Sequence, residues 1–134
     1  MDKSQLRKQL LERQSEVIAL LRIFKQRPSL IRGSVYQLRR KCGKLNCRCQ
    51  EGSLHESWVL SAPEKGRKRM RAVPKGKRMK WQRMTEDYRR FRRARSQLVK
   101  LFAEILKLVD ELERERTVAP PLSKGEHDAA DPGL

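Results

Sequence analysis

The chain has 134 residues, of which 37% are hydrophobic and 37% are charged, and its formal net charge is +17. This length allows one domain with a small appendage. The low apolar fraction predicts a small core that needs a metal ion, long helices or self-association to fold. Because the sequence has no run of 18 apolar residues and no secretory signal at its N-terminus, we expect a cytoplasmic protein without a membrane span.

The positive charge is concentrated in the middle of the chain. Residues 32–100 contain 22 basic and 5 acidic residues, whereas residues 101–134 contain 4 basic and 8 acidic ones. Positive charge this concentrated creates an electrostatic potential that attracts polyanions, and nucleic acid is the commonest polyanion of the cytoplasm. The alternative is a basic surface that serves only solubility.

Residues 3–26 are predicted to form a helix. Its apolar side chains recur in steps that fit one helical face, at Leu6, Leu10, Val17, Leu20 and Phe24. Arg13 occupies the remaining position of that face. Asp2 and Gln5 can form a capping box at the start, and Pro28 ends the helix because the residue before a proline avoids the α region.

Residues 34–74 show no helical period and are predicted to form a small β unit. Ser34–Leu38 is a candidate strand, and Ser57–Ser61 and Arg67–Val73 are predicted to pair as a hairpin. Residues 63–66 supply the turn, with Gly66 where a positive φ is wanted. We expect one face of the second hairpin strand to pack while the other presents its arginines, Arg67, Arg69 and Arg71.

Residues 76–116 are predicted to form a long helix. Its seam follows steps of three and four through Trp81, Met84, Tyr88, Phe91, Arg95, Leu98, Phe102, Ile105, Val109 and Leu112, as in a coiled coil. If Phe24 packs near Trp81 in an antiparallel pair, the first helix is long enough to cover the second helix only as far as about Leu98. The remaining seam would then lack an intrachain partner and would favour self-association or a protein partner, through Phe102, Ile105, Val109 and Leu112.

The three cysteines, Cys42, Cys47 and Cys49, lie within eight residues, and His55 follows six residues later. An odd number of cysteines in an intracellular chain argues against a disulfide scaffold. Three thiolates and one imidazole are a set that structural Zn²⁺ accepts in tetrahedral geometry. We therefore predict a closed zinc site with these four ligands. His127, in the polar tail, is the poorer candidate.

Other interpretations of the cysteine cluster remain open. The cysteines could be unrelated buried residues. An iron–sulfur cluster usually needs a fourth thiolate, which the chain lacks. A redox pair is favoured by the neighbouring cations, which lower thiol pKa values, but the Cys47–Cys49 spacing is not a C-x-x-C motif.

These patterns predict an α+β fold in which two long helices, paired as an antiparallel coiled-coil hairpin, flank a small zinc-stapled antiparallel β unit. The predicted organisation is an N-terminal helix over residues 1–28, a β and zinc-binding unit over 29–75 and a coiled-coil helix over 76–117. Residues 118–134, rich in proline and acids, are predicted to form a disordered tail.

The central segment also resembles a known family. The motifs that carry the resemblance are Arg32–Ser34, Cys42–Lys44, Cys47–Cys49, Gly52, His55 and Val73–Pro74. Over residues 30–95 the chain is similar to small bacterial proteins of unknown function that are often encoded beside transposases. In that family glycine, proline and an aromatic residue follow the histidine, whereas this chain has Glu56, Ser57 and Trp58. The resemblance implies a DNA-associated role without a mechanism.

Three groups of basic residues are candidates to contact phosphate. The loop group is Arg39, Arg40, Lys41, Lys44 and Arg48, and the strand group is Arg67, Lys68, Arg69 and Arg71. The helix group is Lys75, Lys77, Arg78, Lys80, Arg83, Arg89, Arg90, Arg92 and Arg93. We expect the metal to hold the loop and strand groups in one place. The arginine excess favours forked hydrogen bonds, and an aromatic content of 5% is too low for single-strand stacking.

The sequence offers no paired carboxylates, no glycine-rich phosphate loop and no Ser/His/Asp set, so we expect a protein that is not an enzyme. The predicted function is zinc-stabilised binding of nucleic acid, with DNA favoured over RNA, as an accessory factor of a mobile element. One alternative is a coiled-coil adaptor that recruits a transposase or recombinase. Another is an RNA-associated basic protein.

Overall fold

The structure is a computed structural model that describes residues 1–52 and 54–122. Its elements, in chain order, are α1 (Lys3–Phe24), β1 (Ser34–Arg40), a short 3-10 helix (Arg48–Glu51), β2 (His55–Glu64), β3 (Arg67–Ala72) and α2 (Arg78–Arg116). The predicted α+β class is confirmed. None of the helices in the described ranges is sufficiently long and apolar to cross a membrane.

α1 begins at the predicted capping box. The Gln5 backbone N–H donates to Asp2 Oδ1 at 2.8 Å, and the Asp2 backbone N–H donates to Gln5 Oε1 at 3.1 Å. These two bonds satisfy N–H groups that have no partner inside the helix. α1 ends at Phe24, four residues before Pro28.

The three strands form one antiparallel sheet in the order β1-β2-β3. The central strand, β2, is long, and its two ends have different neighbours: His55 pairs with Arg40, whereas Glu64 pairs with Arg67. The hairpin turn consists of Lys65 (φ 49°) and Gly66 (φ 79°), the two positive φ values that match the twist of the strands. The predicted turn residues 63 and 64 belong to β2 instead.

β3 is exposed along its whole length, so the expectation that one of its faces packs is wrong. It is an edge strand that pairs with β2 alone. Two of its arginines turn back to the neighbouring strand: Arg71 Nη2 lies 2.7 Å and Arg69 Nη1 lies 3.4 Å from Glu64 Oε2.

The first part of α2 holds the sheet. Arg89 Nη1 donates to the carbonyl oxygen of Gly33 at 3.2 Å, just before β1. Near the start of the helix, the guanidinium carbon of Arg78 lies 4.4 Å from the ring centroid of Trp58 in β2. These contacts fix the sheet against the N-terminal turns of α2.

The next part of α2 holds α1, and the two helices run antiparallel. The rings of Phe24 and Phe91 meet edge to face with their centroids 4.9 Å apart. At the other end, the N-terminal amine of Met1 lies 3.6 Å from Glu111 Oε1. α1 therefore covers the stretch of α2 from about residue 91 to residue 111.

The predicted arrangement, a coiled-coil hairpin of two long helices flanking the β unit, is wrong. The helices have 22 and 39 residues, and the strands lie between them in sequence and pack on the start of α2. Because the sheet occupies that stretch, Phe24 meets Phe91 rather than Trp81. The predicted seam is only partly correct: Phe91 and Leu98 are partly buried, but Phe102 and Val109 are exposed. The buried residues of α2 include Ala94 and Leu108, which the seam omits.

The apolar core is small, as the composition predicts. Leu6, Leu20, Ala94 and Leu108 are buried in the helices, and Val59 and Leu60 are buried in the sheet. Of the predicted tail, residues 118–122 have no helix or strand. Residues 123–134, including His127, lie outside the described residues.

Candidate metal centre

The four predicted ligands come from the connection between β1 and β2. Cys42 lies two residues after β1, Cys47 and Cys49 lie at the start of the 3-10 helix, and His55 is the first residue of β2. Antiparallel pairing places Arg40 directly opposite His55. The closure of this β pair therefore brings both ends of the connection together.

The ligand atoms converge on one point. The three Sγ atoms and one imidazole nitrogen all lie within 4.8 Å of one another. Cys42 Sγ is 3.4 Å from Cys49 Sγ, and Cys47 Sγ is 3.0 Å from His55 Nε2. With Zn–S bonds of about 2.3 Å, a tetrahedron places its ligand atoms about 3.8 Å apart. The observed spacing brackets this value, so the residues fit the ion.

The backbone around the ligands supports this convergence. The Cys42 backbone N–H donates to Cys49 Sγ at 3.3 Å, a bond that favours a thiolate. The 3-10 helix ends at Gly52, whose φ of 113° is a conformation that side chains other than glycine rarely adopt. No heavy atom lies within 4 Å of where its Cβ would be. The glycine is therefore needed for its dihedral angle rather than for space.

Gln50 is part of the site, although the sequence analysis did not single it out. Its Nε2 donates to the carbonyl oxygens of Cys42 at 3.3 Å and Lys44 at 3.4 Å. These bonds tie the start of the loop to the 3-10 helix. Nothing in the cysteine spacing marks a glutamine for this role, because the bonds depend on how the loop folds back.

The thiols have different environments. A hydrogen bond from the backbone N–H of Cys49, helped by the side chains of Cys42 and His55, lowers the pKa of Cys47 to about 6. Burial raises the pKa of Cys49, whose side chain is 1% exposed. Since the thiolate is the form that binds metal, one ligand is ready for an ion and another needs the positive charge of the ion to ionise.

This geometry narrows the alternatives for the cysteine cluster. Four soft and borderline donors that surround one point are not unrelated buried cysteines. The set lacks the fourth thiolate of a typical iron–sulfur cluster. It does match the closed Cys3His site of structural zinc.

The basic groups are all on the surface, and every one of their eighteen residues is exposed. The loop group surrounds the ligands. The helix group begins beside Trp58, three residues from His55, because Arg78 stacks on that ring. The loop group and the start of the helix group therefore lie at the same end of the sheet.

The strand group lies elsewhere. Arg67 pairs with Glu64, at the opposite end of β2 from His55. Nine strand steps separate those two ends, a distance of about 30 Å. The expectation that the metal holds the loop and strand groups in one place is therefore wrong. The sequence did not show this separation, because it depends on the length of β2 and on its pairing with β3.

Acidic residues neutralise some of the candidate cations. Arg39 Nε lies 3.1 Å from Glu56 Oε1, and Arg69 and Arg71 share Glu64. Across residues 1–52 and 54–122, no ion pair involves the other loop-group cations, which are Arg40, Lys41, Lys44 and Arg48. A groove of about 550 Å³ beside the ligands is lined by two of these, Arg40 and Lys41.

A model of the family described as "Domain of unknown function (DUF6788)" matches residues 5–83. This match includes all of α1 except its first two residues, the whole sheet, all four candidate ligands and the first six residues of α2. No curated protein and no solved structure matches the chain. The family description carries no activity.

Proposed function

This chain belongs to the DUF6788 family, and from its site we propose that it is a zinc-stabilised protein that binds nucleic acid, with duplex DNA favoured over RNA. One observation carries the proposal: Cys42, Cys47, Cys49 and His55 place their ligand atoms within 4.8 Å of one another inside the most basic part of the chain. The DNA-associated role implied by the family resemblance of residues 30–95 agrees with this proposal.

The proposed role of the zinc ion is structural. Four protein ligands leave no open coordination position for water or substrate, so we propose no enzymatic activity. The ion would join the end of β1 to the start of β2 and would hold the loop between them. That loop buries one side chain among its described residues, Cys49, and so has little apolar packing of its own.

The proposed nucleic-acid surface combines the loop group with the start of the helix group. Two of its cations without acidic partners, Arg40 and Lys41, line the groove beside Cys42 and His55, where a phosphate backbone could replace their counterions. The Arg78 guanidinium is already stacked on Trp58, which limits its rotamers and lowers the entropic cost of binding phosphate. The strand group, about 30 Å away along β2, would contribute only to a longer duplex.

The first experiment measures zinc in the purified full-length protein by elemental analysis. We expect one zinc per chain in the wild type and strongly reduced zinc in Cys47→Ser. The control is Ser57→Ala, which changes an exposed residue beside the site that is not a ligand. Unchanged zinc stoichiometry in Cys47→Ser contradicts the ligand assignment.

The second experiment measures affinity for a short DNA duplex, by fluorescence anisotropy over a range of salt concentrations. Neutralising the unpaired loop-group cations, with Arg40→Gln, Lys41→Gln, Lys44→Gln and Arg48→Gln, should weaken binding. It should also reduce the slope of log K against log salt by about 0.9 for each phosphate that the protein no longer neutralises. The control neutralises four exposed cations, Arg7, Lys8 and Arg22 of α1 and Lys25 just after it. Equal losses of affinity in the two variants contradict a defined surface.

Two alternatives are tested in the same titrations. If an RNA duplex binds more tightly than DNA, the protein is RNA-associated. If neither nucleic acid binds at low salt, the adaptor for a transposase or recombinase becomes the better proposal. The adaptor is favoured by the exposed apolar side chains on the distal half of α2, such as Phe102, which is 53% exposed. A cytoplasmic, nucleoid-associated location and a role beside a mobile element follow only if DNA binds.

A further inference from the structure

The distal half of α2 carries two apolar stripes rather than one. The inner stripe is Phe91, Ala94, Leu98, Leu101, Ile105, Leu108 and Leu112. It faces α1, since Ala94 and Leu108 are buried and Phe91 packs on Phe24. The outer stripe is Val99, Phe102, Leu106 and Val109, and these residues are 56%, 53%, 60% and 44% exposed. Each member of the outer stripe follows an inner-stripe residue by one position.

α1 extends this exposed surface. Leu11 and Ile18, which are 64% and 47% exposed, follow the inward positions Leu10 and Val17 by one residue. One residue corresponds to a rotation of about 100°. In an antiparallel helix pair, the residue that follows an inward-facing residue points to the same side of the pair in both helices. Leu11 and Ile18 therefore lie on the same face as the outer stripe.

The position of Leu11 along α2 is set by a neighbouring ion pair. Arg13 Nε lies 2.8 Å from Glu104 Oε2, without the alignment of a hydrogen bond. Glu104 lies on the other side of the inner stripe, but along the helix axis it is level with the midpoint of the outer stripe, between Phe102 and Leu106. Leu11 therefore lies beside the centre of the stripe and joins it in one exposed apolar face. Contiguous exposed faces of this kind mark interaction surfaces.

The charges at the ends of the outer stripe indicate its partner. The same steps of three and four lead backwards from Val99 to Arg95 and forwards from Val109 to Glu113, so the stripe is apolar in the middle, basic at one end and acidic at the other. Arg95 and Glu113 are about 27 Å apart along the helix. A second copy of α2 in antiparallel orientation would place Arg95 against the partner's Glu113, and would do so twice. A parallel copy would place like charges together at both ends.

We propose that two copies of this chain form a two-fold symmetric dimer through the outer stripe, with α2 antiparallel to the partner's α2. Val99 packs against the partner's Val109, and Phe102 packs against the partner's Leu106. Leu11 adds apolar surface beside the two-fold axis. Such a self-complementary patch is the usual form of a two-fold interface.

This interface differs from the one that the sequence predicts. Phe102 and Val109 belong to the outer stripe, whereas Ile105 and Leu112 belong to the inner stripe and are partly buried. Val99 and Leu106 take their place. The inference is independent of metal and nucleic-acid binding, because its principal contacts, those of the outer stripe, lie beyond the loop, the sheet and the matched family segment.

The test measures the molar mass of the full-length protein by light scattering after size-exclusion chromatography, over a range of concentrations. We expect twice the chain mass of 15.8 kDa for the wild type. Leu106→Glu brings two carboxylates into the apolar centre and should give the mass of one chain. The matched control, Met79→Glu, changes a residue of α2 that is 71% exposed but lies outside the stripe, and should remain dimeric. Circular dichroism checks that both variants retain their helices.

A charge exchange tests the antiparallel orientation. Arg95→Glu places two acidic pairs across the interface and should raise the dimer dissociation constant on the order of tenfold or more. Glu113→Arg should act similarly, whereas the double variant with both substitutions should recover the dimer. A wild type that is monomeric at every concentration, a Leu106→Glu variant that stays dimeric, or a double variant without recovery would each overturn the proposal.

Discussion

The loop between β1 and β2 and the layer formed by α1 and α2 are held by different forces. Within the described part of that loop, Cys49 alone is buried, and the close contacts among the candidate ligands join sulfur to nitrogen or sulfur to sulfur. The helix layer instead buries Leu6, Leu20, Ala94 and Leu108. Burial of apolar surface needs no ligand, whereas four converging donors hold together best around a cation. The two regions should therefore fail under different treatments.

Removal of the metal should produce the largest difference between the regions. With a strong chelator, or in Cys47→Ser, we expect residues 41–55 and the neighbouring strand ends to become accessible to protease and to hydrogen exchange. The helices should keep their protection, because their packing involves no metal ligand. Hydrogen exchange read by mass spectrometry checks both regions in one experiment. Equal loss of protection in both would show that the molecule unfolds as one unit.

A cavity in the helix layer should have the reverse effect. Leu20→Ala deletes a buried side chain and should lower the free energy of unfolding by about 3 kcal/mol, with little change in the zinc content of the folded protein. Urea unfolding followed by circular dichroism measures the loss of stability. The neighbouring Leu21, which is 38% exposed, is the matched control, and Leu21→Ala should cost less. If Leu20→Ala also empties the metal site, the regions are coupled.

Gly33 lies just before β1, at the end of the sheet far from the metal loop, where Arg89 of α2 donates to its carbonyl oxygen. A Cβ at this position would lie 2.6 Å from the carbonyl oxygen of Ser61 and 3.1 Å from the Ala62 Cβ. Gly33→Ala should therefore push β1 away from β2 and lower the free energy of unfolding by about 1–3 kcal/mol. The control is Gly43→Ala, where nothing lies within 4 Å of the added methyl group. Equal stability of the two variants would argue against close packing at Gly33.

The smallest effect concerns the sheet edge far from the metal. A hydrogen bond from Arg71, with further help from Arg69, holds the pKa of Glu64 below its ordinary value of 4.5. A depressed carboxylate pKa contributes stability that is present above 4.5 and is lost as the pH falls through the lower folded value. Glu64→Gln should remove this small pH dependence. Thermal unfolding of both proteins from neutral to acidic pH measures it, and identical pH profiles would contradict the assignment.

Local chemistry made several features predictable from the sequence. The capping box of Asp2 and Gln5 defines the start of α1 within five residues of chain. The turn at Gly66 and the β-formers before it, such as Trp58 and Val59, indicate the hairpin. The four ligands lie within fourteen positions, Cys42 to His55. Their convergence therefore requires only that the pairing of β1 with β2 brings the two ends of this short loop together.

The arrangement of the elements was not predictable in the same way. Apolar residues in steps of three and four predict that α2 has a buried face, but the predicted seam drifts from that face, since it includes the exposed Phe102 and omits the buried Leu108. Both α1 and the sheet can cover such a face. The pairing of Phe24 with Phe91 depends on the sheet occupying the first turns of α2, which is a long-range contact. The outer stripe is hard to recognise in the sequence because it lies one position from the seam and shares Phe102 and Val109 with it.

The length of α2 has a consequence for how the protein would meet DNA. From Arg78, beside Trp58 and near the loop, to Glu104 the unbroken helix rises about 39 Å. In the proposed antiparallel dimer, two such lengths would extend in opposite directions from the axis and would hold the two loops between β1 and β2 about 78 Å apart. That spacing is a little more than two turns of B-form DNA, at about 34 Å per turn. The length of α2 would then determine the distance between the two stretches of duplex that the dimer binds.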